Sequence, residues 1–215
     1  MGVAEASAAA GWPVVVRDSG GTAFPIGPMT VQISVVRALI AERPPSVGAL
    51  YRNLCEPIMA MLLVHGVRTT LESVEGSMCD GAYNLCVGGR KIAGTAQRQR
   101  RLPGDRVAVL AHAALSIGGA ARPLVAAVEA YYAALGRRES FLDGRHTSLM
   151  ECLPGPVTGT LESWSDLAVS GLAQAYRRSQ DRKDPLRSSR MNMRRSTLRY
   201  SAASAADAVK FCDGS

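Results

Sequence analysis

A pair of glycines, Gly88-Gly89, separates two β-rich runs, Tyr83 to Val87 and Arg90 to Ala96. Two adjacent glycines supply the positive φ angles of a two-residue hairpin turn, so the runs predict neighbouring antiparallel strands. A lone hairpin is marginal in water, and the chain offers further strands for it to join. Val14 to Val16, Val31 to Val36, Val67 to Val74 and Val107 to Ile117 are apolar or alternating runs of that kind. Helices are predicted between them. Ser46 is an N-cap before apolar residues at Leu50, Leu54, Ile58, Met61, Leu62 and Val64, which share one helical face. Pro57 inside that run predicts a kink or a break, and Gly66 a stop. A helix over Leu124 to Leu135 closes at Gly136. Thr160, with Glu162 and Asp166 behind it, opens another that reaches about Arg178. The expected fold is therefore α+β, a mixed, largely antiparallel sheet packed with helices.

The net charge of +7 raises nucleic-acid binding as a function. Its distribution argues otherwise. Residues 177–199 hold nine Lys/Arg and two acids, a surplus of seven that accounts for the whole charge. The apolar pattern also fades after Gln180, and Tyr176 and Tyr200 are the only aromatics near the basic run, so no stacking platform is evident. The chain divides into a folded domain over 1–179 and a basic, weakly ordered tail over 180–215. No uninterrupted apolar run approaches the roughly 20 residues of a membrane span, and the start lacks a basic region before an apolar one. The five cysteines, Cys55, Cys79, Cys86, Cys152 and Cys212, form no CxxC pair; they read as reduced thiols of a cytoplasmic protein, with no metal site.

Four features could carry chemistry. The first is Arg17-Asp18-Ser19-Gly20-Gly21, directly after a strand. Paired glycines let backbone N–H groups approach an anion or carbonyl, and Arg17 could pair with a carboxylate or phosphate; an ordinary turn with a surface arginine is the plainer reading. The second is Lys91, followed by Ile92, Ala93, Gly94, Thr95 and Ala96. Lys91 and Ile92 point to opposite faces of a strand, and a lysine beside small side chains can clamp a ligand and polarise its carbonyl. A solvated hairpin lysine explains the pattern equally well. The third is Cys79 in a polar, glycine-flanked loop, either a nucleophile assisted by Lys91 or His112, or a small buried hydrophobe. The fourth is His112 in an apolar strand, where a hydrogen-bonded core histidine is more usual than a base. His65 and His146 join no constellation.

The order of these features adds what none carries alone. VVVRDSGGTAFPIGP, a helix ending in glycine, GSMCDGAYNLCVGGRKIAGTAQRQRR and then VAVLAHAAL resemble the lipoate–protein ligase, octanoyltransferase and biotin ligase superfamily over roughly residues 8 to 175. The strand from Gly89 to Gln97 is the most specific part of the resemblance. The resemblance implies transfer of a lipoyl or octanoyl group to a lysine of a lipoyl-carrier domain, either a 2-oxoacid dehydrogenase E2 or a glycine cleavage H-type protein. It implies that Lys91 contacts the acyl carbonyl and that Cys79 forms a thioester. Arg17, Ser19, Gly20 and Gly21 would line the acyl pocket, Gly94, Thr95 and Ala96 its opposite wall, and His112 would also bind substrate. In ATP-dependent ligases of the superfamily, which use ATP and Mg2+ to make lipoyl-adenylate, an Asn-Asp pair occupies the segment where Tyr83-Asn84-Leu85 stands here. The sequence also departs from the family pattern at Asp18, Thr22, Ile26, Met29 and Gln32, and the family's usual strand and long helix before the Arg17 turn are missing. A non-catalytic binding homologue is the remaining expectation.

Overall fold

The computed structural model describes residues 2–17, 19–40, 45–156, 158–183, 199–202 and 209–211. Asp18, Cys212 and most of the basic tail lie outside these residues. The helices are α1 (Val3–Ala9), α2 (Val47–Val64), α3 (Ala121–Ala134), α4 (Leu149–Cys152) and α5 (Leu161–Lys183). The strands are β1 (Val14–Val16), β2 (Thr30–Ile40), β3 (Thr70–Glu72), β4 (Asn84–Val87), β5 (Arg90–Leu102), β6 (Arg106–Ser116), β7 (Arg199–Ala202) and β8 (Val209–Phe211). One antiparallel sheet runs in the order β3-β4-β5-β6-β2-β7, and β1 pairs in parallel with β8.

The β4–β5 hairpin turns at Gly88 and Gly89, with φ of +56° and +72°, as the paired glycines require. β5 continues past Ala96 to Leu102 and pairs with β6 throughout, ending at Leu102 opposite Arg106. Its last third reads as Arg98, Gln99, Arg100 and Arg101, which gives no apolar alternation and so no strand signal in the sequence. β3 is shorter than the Val67–Val74 run predicts. The Val67 N–H is taken by the carbonyl of Leu62 at the end of α2, and the Val74 N–H by the Asp80 carboxylate, so neither end is free for a ladder.

Burial alternates strictly along β6, as period-two geometry demands. Val107, Val109, Ala111, Ala113 and Leu115 are buried, and all but Val107 and Val109 join the main core. That core fills the space between the sheet and two helices, with Leu54, Ile58 and Leu62 from α2 and Leu172 and Tyr176 from α5. Ser46 caps α2 by accepting the Ala49 N–H at 3.2 Å. Pro57 does not split the helix; it is buried within one continuous α2. By length and apolar composition α2 would pass for a membrane span, yet its Leu50, Leu54, Ile58, Met61 and Leu62 are core residues. The opposite face of the sheet carries a smaller apolar cluster, in which Ala23 and Met78 pack on Val125, Val128 and Tyr132 of α3. The Tyr132 hydroxyl accepts the Ala23 N–H at 2.9 Å. This second cluster holds two loops, 17–27 and 73–83, over the face of the sheet that lacks the main core.

Candidate active site

The paired strands make the floor of a groove. Cross-strand partners project to the same side of a sheet. One rung is Gly94, Ala114 and Gln32; the next is Ala96, His112 and Ser34. All six line a single groove of about 240 Å³, with Leu110 beyond them. Gly94, Ala96 and Ala114 leave room above the backbone, so the small side chains clear the floor.

The loops supply the rim. Arg17, Ser19, Phe24 and Ile26 line the groove from the first loop and Cys79 from the second. Ser19 is buried, and its Oγ lies 2.7 Å from His112 Nε2, so the loop is tied to the floor. His112 is thus hydrogen-bonded, as its sequence context predicts, while it also faces the groove. Gly21 has φ of +110°, and a Cβ there would sit 2.9 Å from Cys79 Sγ and 2.8 Å from Arg17 Nη2. Only glycine lets the two loops approach so closely. A Cβ on Gly20 would by contrast meet nothing within 4 Å, and Gly20 is not among the residues that line this groove. Thr95 borders the groove but spends its hydroxyl on the Tyr83 carbonyl at 2.8 Å, which fixes β5 to the second loop.

Lys91 is a buried residue and not a solvated hairpin lysine. It is 2 % exposed, and its Nζ donates to the carbonyls of Met78 at 2.6 Å and Cys79 at 2.7 Å. An ammonium has three donors, so one N–H remains after these two bonds. The face of Phe24 lies 5.3 Å from Nζ. Burial pushes the Lys91 pKa down to about 8, against the favourable influence of Cys79 and Asp80. A bulge places this side chain. Leu85 pairs with Ala93 but Cys86 pairs with Lys91, so β5 carries one extra residue between them. Ile92 and Ala93 both enter the main core, and Lys91 returns to the face of Gly94. Its Nζ comes within 3.5 Å of where a Gly94 Cβ would be.

Cys79 is half-buried on the groove wall, at φ of +49°. A non-glycine residue in the left-handed region stores strain of order 1–3 kcal/mol, a cost found most often at functional positions. Arg17 Nη2 is 3.9 Å from its sulfur, and Arg17 Nε is buried without a hydrogen-bond partner among the described residues. Cys86 and Cys55 fit the packing role instead. Burial raises their pKa values, to about 11 and about 12. Asp80 builds the loop that bears Cys79: its Oδ1 accepts from the Val74 N–H at 2.7 Å and from Asn84 Nδ2 at 3.0 Å.

Sequence reasoning missed Phe24, Gln32, Ser34 and Leu110. Gln32 and Ser34 were legible as the polar positions of the alternating run from Val31; Leu110 was not, because Val109 and Ala111 beside it are apolar too. It also missed His146. Its Nε2 accepts the Met78 N–H at 3.0 Å, and Nδ1 faces the Leu142 carbonyl at 3.2 Å. The neighbouring Thr147 N–H donates to the Lys91 carbonyl at 2.9 Å. No local signal marks a histidine that acts on a loop 68 residues earlier.

These features meet known proteins at several points. The profile of the lipoyl protein ligase A/B catalytic domain matches residues 4–164. An uncharacterized protein of Cupriavidus necator is 40% identical over 156 residues, 66% of this chain and 61% of its own. An octanoyl-[GcvH]:protein N-octanoyltransferase of Kyrpidia tusciae is 46% identical over 112 residues, 49% of this chain and 38% of its own. A lipoyl-[GcvH]:protein N-lipoyltransferase of Listeria monocytogenes is 33% identical over 89 residues, 41% and 32% of the two chains. The chain therefore spans between about a third and three-fifths of the length of these relatives. Among solved structures, lipoate-protein ligase A bound with ATP aligns with a TM-score of 0.60 at 16% identity, covering 82% of this chain and 62% of that one. The bi-partite lipoate protein ligase of Thermoplasma acidophilum, described with its E2 lipoyl domain, aligns at 0.52 and 19% identity over 76% and 56%. At such identities the likeness is one of fold, an α+β sheet with packed helices. The profile match, which takes in both loops and the Lys91 strand, assigns the chain to the lipoyl protein ligase A/B catalytic domain family.

Proposed function

We propose that the chain moves an octanoyl or lipoyl group to a lysine of a lipoyl-carrier protein by way of a thioester on Cys79. The observation that carries this reading is the Cys79 thiol on the groove wall, with the carbonyl of the same residue held on Lys91 Nζ at 2.7 Å. The acyl chain would lie over Gly94, Ala96 and Ala114. The Cys79 sulfur attacks the acyl carbonyl carbon of an acylated carrier lysine, and the electron pair moves to the carbonyl oxygen. Lys91, with one N–H still available, and the unpartnered Arg17 Nε are the cations nearest to that developing charge. Collapse breaks the C–N bond; the carrier amine leaves with a proton, and a C–S bond remains. The amine of a second carrier then attacks the thioester, loses a proton, and releases the thiolate.

Relatives that act on octanoyl- or lipoyl-[GcvH] support an H-type carrier on one side of the exchange, and the T. acidophilum ligase studied with its E2 lipoyl domain supports an E2 domain on the other. The family also contains a member that binds ATP, which makes an ATP- and Mg2+-dependent route through lipoyl-adenylate the alternative. Asp80 and Asn84 speak against it here, because their side chains bond each other and the Val74 backbone rather than facing the groove. Intact-mass spectrometry after incubation with octanoyl- or lipoyl-charged carrier, without ATP, tests the proposal. A hydroxylamine-sensitive acyl adduct on wild type but not on Cys79→Ala is the expected result. Carrier acylation only when free lipoate, ATP and Mg2+ are supplied would overturn it. A folded protein inactive in both assays would point to the non-catalytic homologue.

A further inference from the structure

The Met78 backbone is gripped at both its N–H and its carbonyl. Its carbonyl accepts from Lys91 Nζ, and its N–H donates to His146 Nε2. The N–H belongs to the Ser77–Met78 peptide and the carbonyl to the Met78–Cys79 peptide, so the two bonds together fix the Met78 backbone and set the direction in which the strained cysteine leaves the loop. The grip on the N–H side has a condition attached. A neutral imidazole offers one donor and one acceptor, and an imidazolium offers two donors. Nδ1 faces a carbonyl, which accepts only, so Nδ1 must carry the proton and Nε2 must be bare. Protonation at Nε2 would set two donors against each other across 3.0 Å.

The ring sits in a crowded electrostatic setting. Lys91 lies beside it on β5, and an isolated bridge joins the two backbones. Asp143 precedes it in a single turn of 3-10 helix, where it pairs with Arg122 of α3 at 3.6 Å. Arg145 adjoins it in sequence. Glu151 of α4 lines the same small cavity as His146 and Lys91, and it pairs with Arg90 at 3.8 Å. Burial, then the Lys91 charge, hold the histidine below its usual pKa, against the weaker pull of the Leu142 carbonyl and of Asp143.

We propose that His146 is a positioning residue for Cys79, which in its neutral Nδ1–H form holds the Met78 backbone so that the sulfur and the Lys91 ammonium address the same acyl carbonyl. It touches neither substrate nor sulfur. The inference rests on the thioester reading of Cys79 for its kinetic test and on geometry alone for its spectroscopic one. The sign of the pH effect follows from the direction of the shift. The unfolded chain binds a proton on this histidine near pH 6.5, while the folded protein resists it to lower pH. The stability contributed by neutral His146 is therefore present above pH 6.5 and lost as the pH falls below it.

His146→Ala should slow thioester formation by about 100-fold, the effect of a displacement near 1 Å at a reacting centre. His146→Gln presents a side-chain carbonyl that accepts the Met78 N–H at every pH. It should recover most of that loss and show a shallower fall in rate between pH 7 and 5 than wild type. The proton that the nucleophile itself must lose is common to both, so the difference between the profiles belongs to position 146. Nitrogen-15 spectra of wild type should show His146 as the Nδ1–H tautomer at pH 7. Amide exchange at Met78 should be protected at pH 7 and accelerate on acidification in wild type but not in His146→Gln, after correction for intrinsic exchange. Parallel pH profiles for wild type and His146→Gln, or an Nε2–H tautomer at pH 7, would overturn the inference. A wild type that forms no adduct at any pH, with the Met78 amide behaving as expected, would sink the thioester reading and leave the grip on Met78 standing.

Discussion

The floor and the rim of the groove are held by different forces. The floor is three strands locked by a continuous backbone ladder, and its groove-facing side chains at 94, 96 and 114 carry little beyond their smallness. The rim is two loops suspended by a few side-chain bonds: Lys91 and His146 on the Met78 backbone, Asp80 on Val74, Ser19 on His112 and Tyr132 on Ala23. A ladder shares its stability over many equivalent bonds, whereas a suspended loop depends on each one. Substitutions on the floor should therefore change what fits, and substitutions on the rim should change what reacts.

The sharpest test of that division is Cys79→Ala. It should abolish the hydroxylamine-sensitive adduct and leave thermal unfolding nearly unchanged, because the sulfur packs no core. An adduct that persists would move the nucleophile elsewhere and dissolve the contrast. Next comes Lys91→Met, which keeps the volume and removes the charge and both carbonyl bonds. Thioester formation should fall by about 100-fold or more, with a loss of stability visible in denaturant melts, since two buried carbonyls are left unpaired.

The same lysine gives the rim an alkaline signature. Its pKa of about 8 means that the Lys91 cation, which the proposed mechanism sets near the acyl oxygen, is lost as the pH rises through that value. The adduct rate should fall by roughly tenfold between pH 8 and pH 9.5, after allowance for nucleophile ionisation. The stability effect runs the other way. The folded state holds this proton less tightly than the unfolded chain, so the penalty of burying the charge fades between pH 8 and 10.5. A pH-independent rate above 8 would show that the charge of Lys91 is structural only. The smallest effect is expected on the floor. Ala114→Leu should raise KM for the octanoylated carrier by about tenfold while kcat stays within a few-fold, since it occludes space without touching the loops. A matching fall in kcat would mean that the floor also positions the reacting carbon.

Much of this arrangement was legible in the residues. Paired glycines at 88 and 89 announced the hairpin, the apolar run from Val107 marked β6 as a strand, and the small residues after Lys91 include Gly94 and Ala96 of the groove floor. Those signals are local, and local geometry is what a sequence states directly. The clamp on Met78 was not legible, since the distance between His146 and the loop is closed only by packing. That Pro57 does not break α2 was hidden for the same reason: the tertiary contacts of the helix override the cost of one missing helical bond.

The face that Lys91 takes shows where the boundary lies. Counted along an ideal strand, Lys91 and Gly94 are three residues apart and belong on opposite sides of the sheet. The sequence thus determined that a lysine precedes a run of small residues in a strand after a tight turn. It did not determine that the lysine returns to their face of the sheet, where it lines the smaller cavity beside His146. The extra residue in β5 decided that, because a bulge exists only in the register between two strands. The register between β4 and β5 is set by how Leu85, Ile92 and Ala93 bury together in the core.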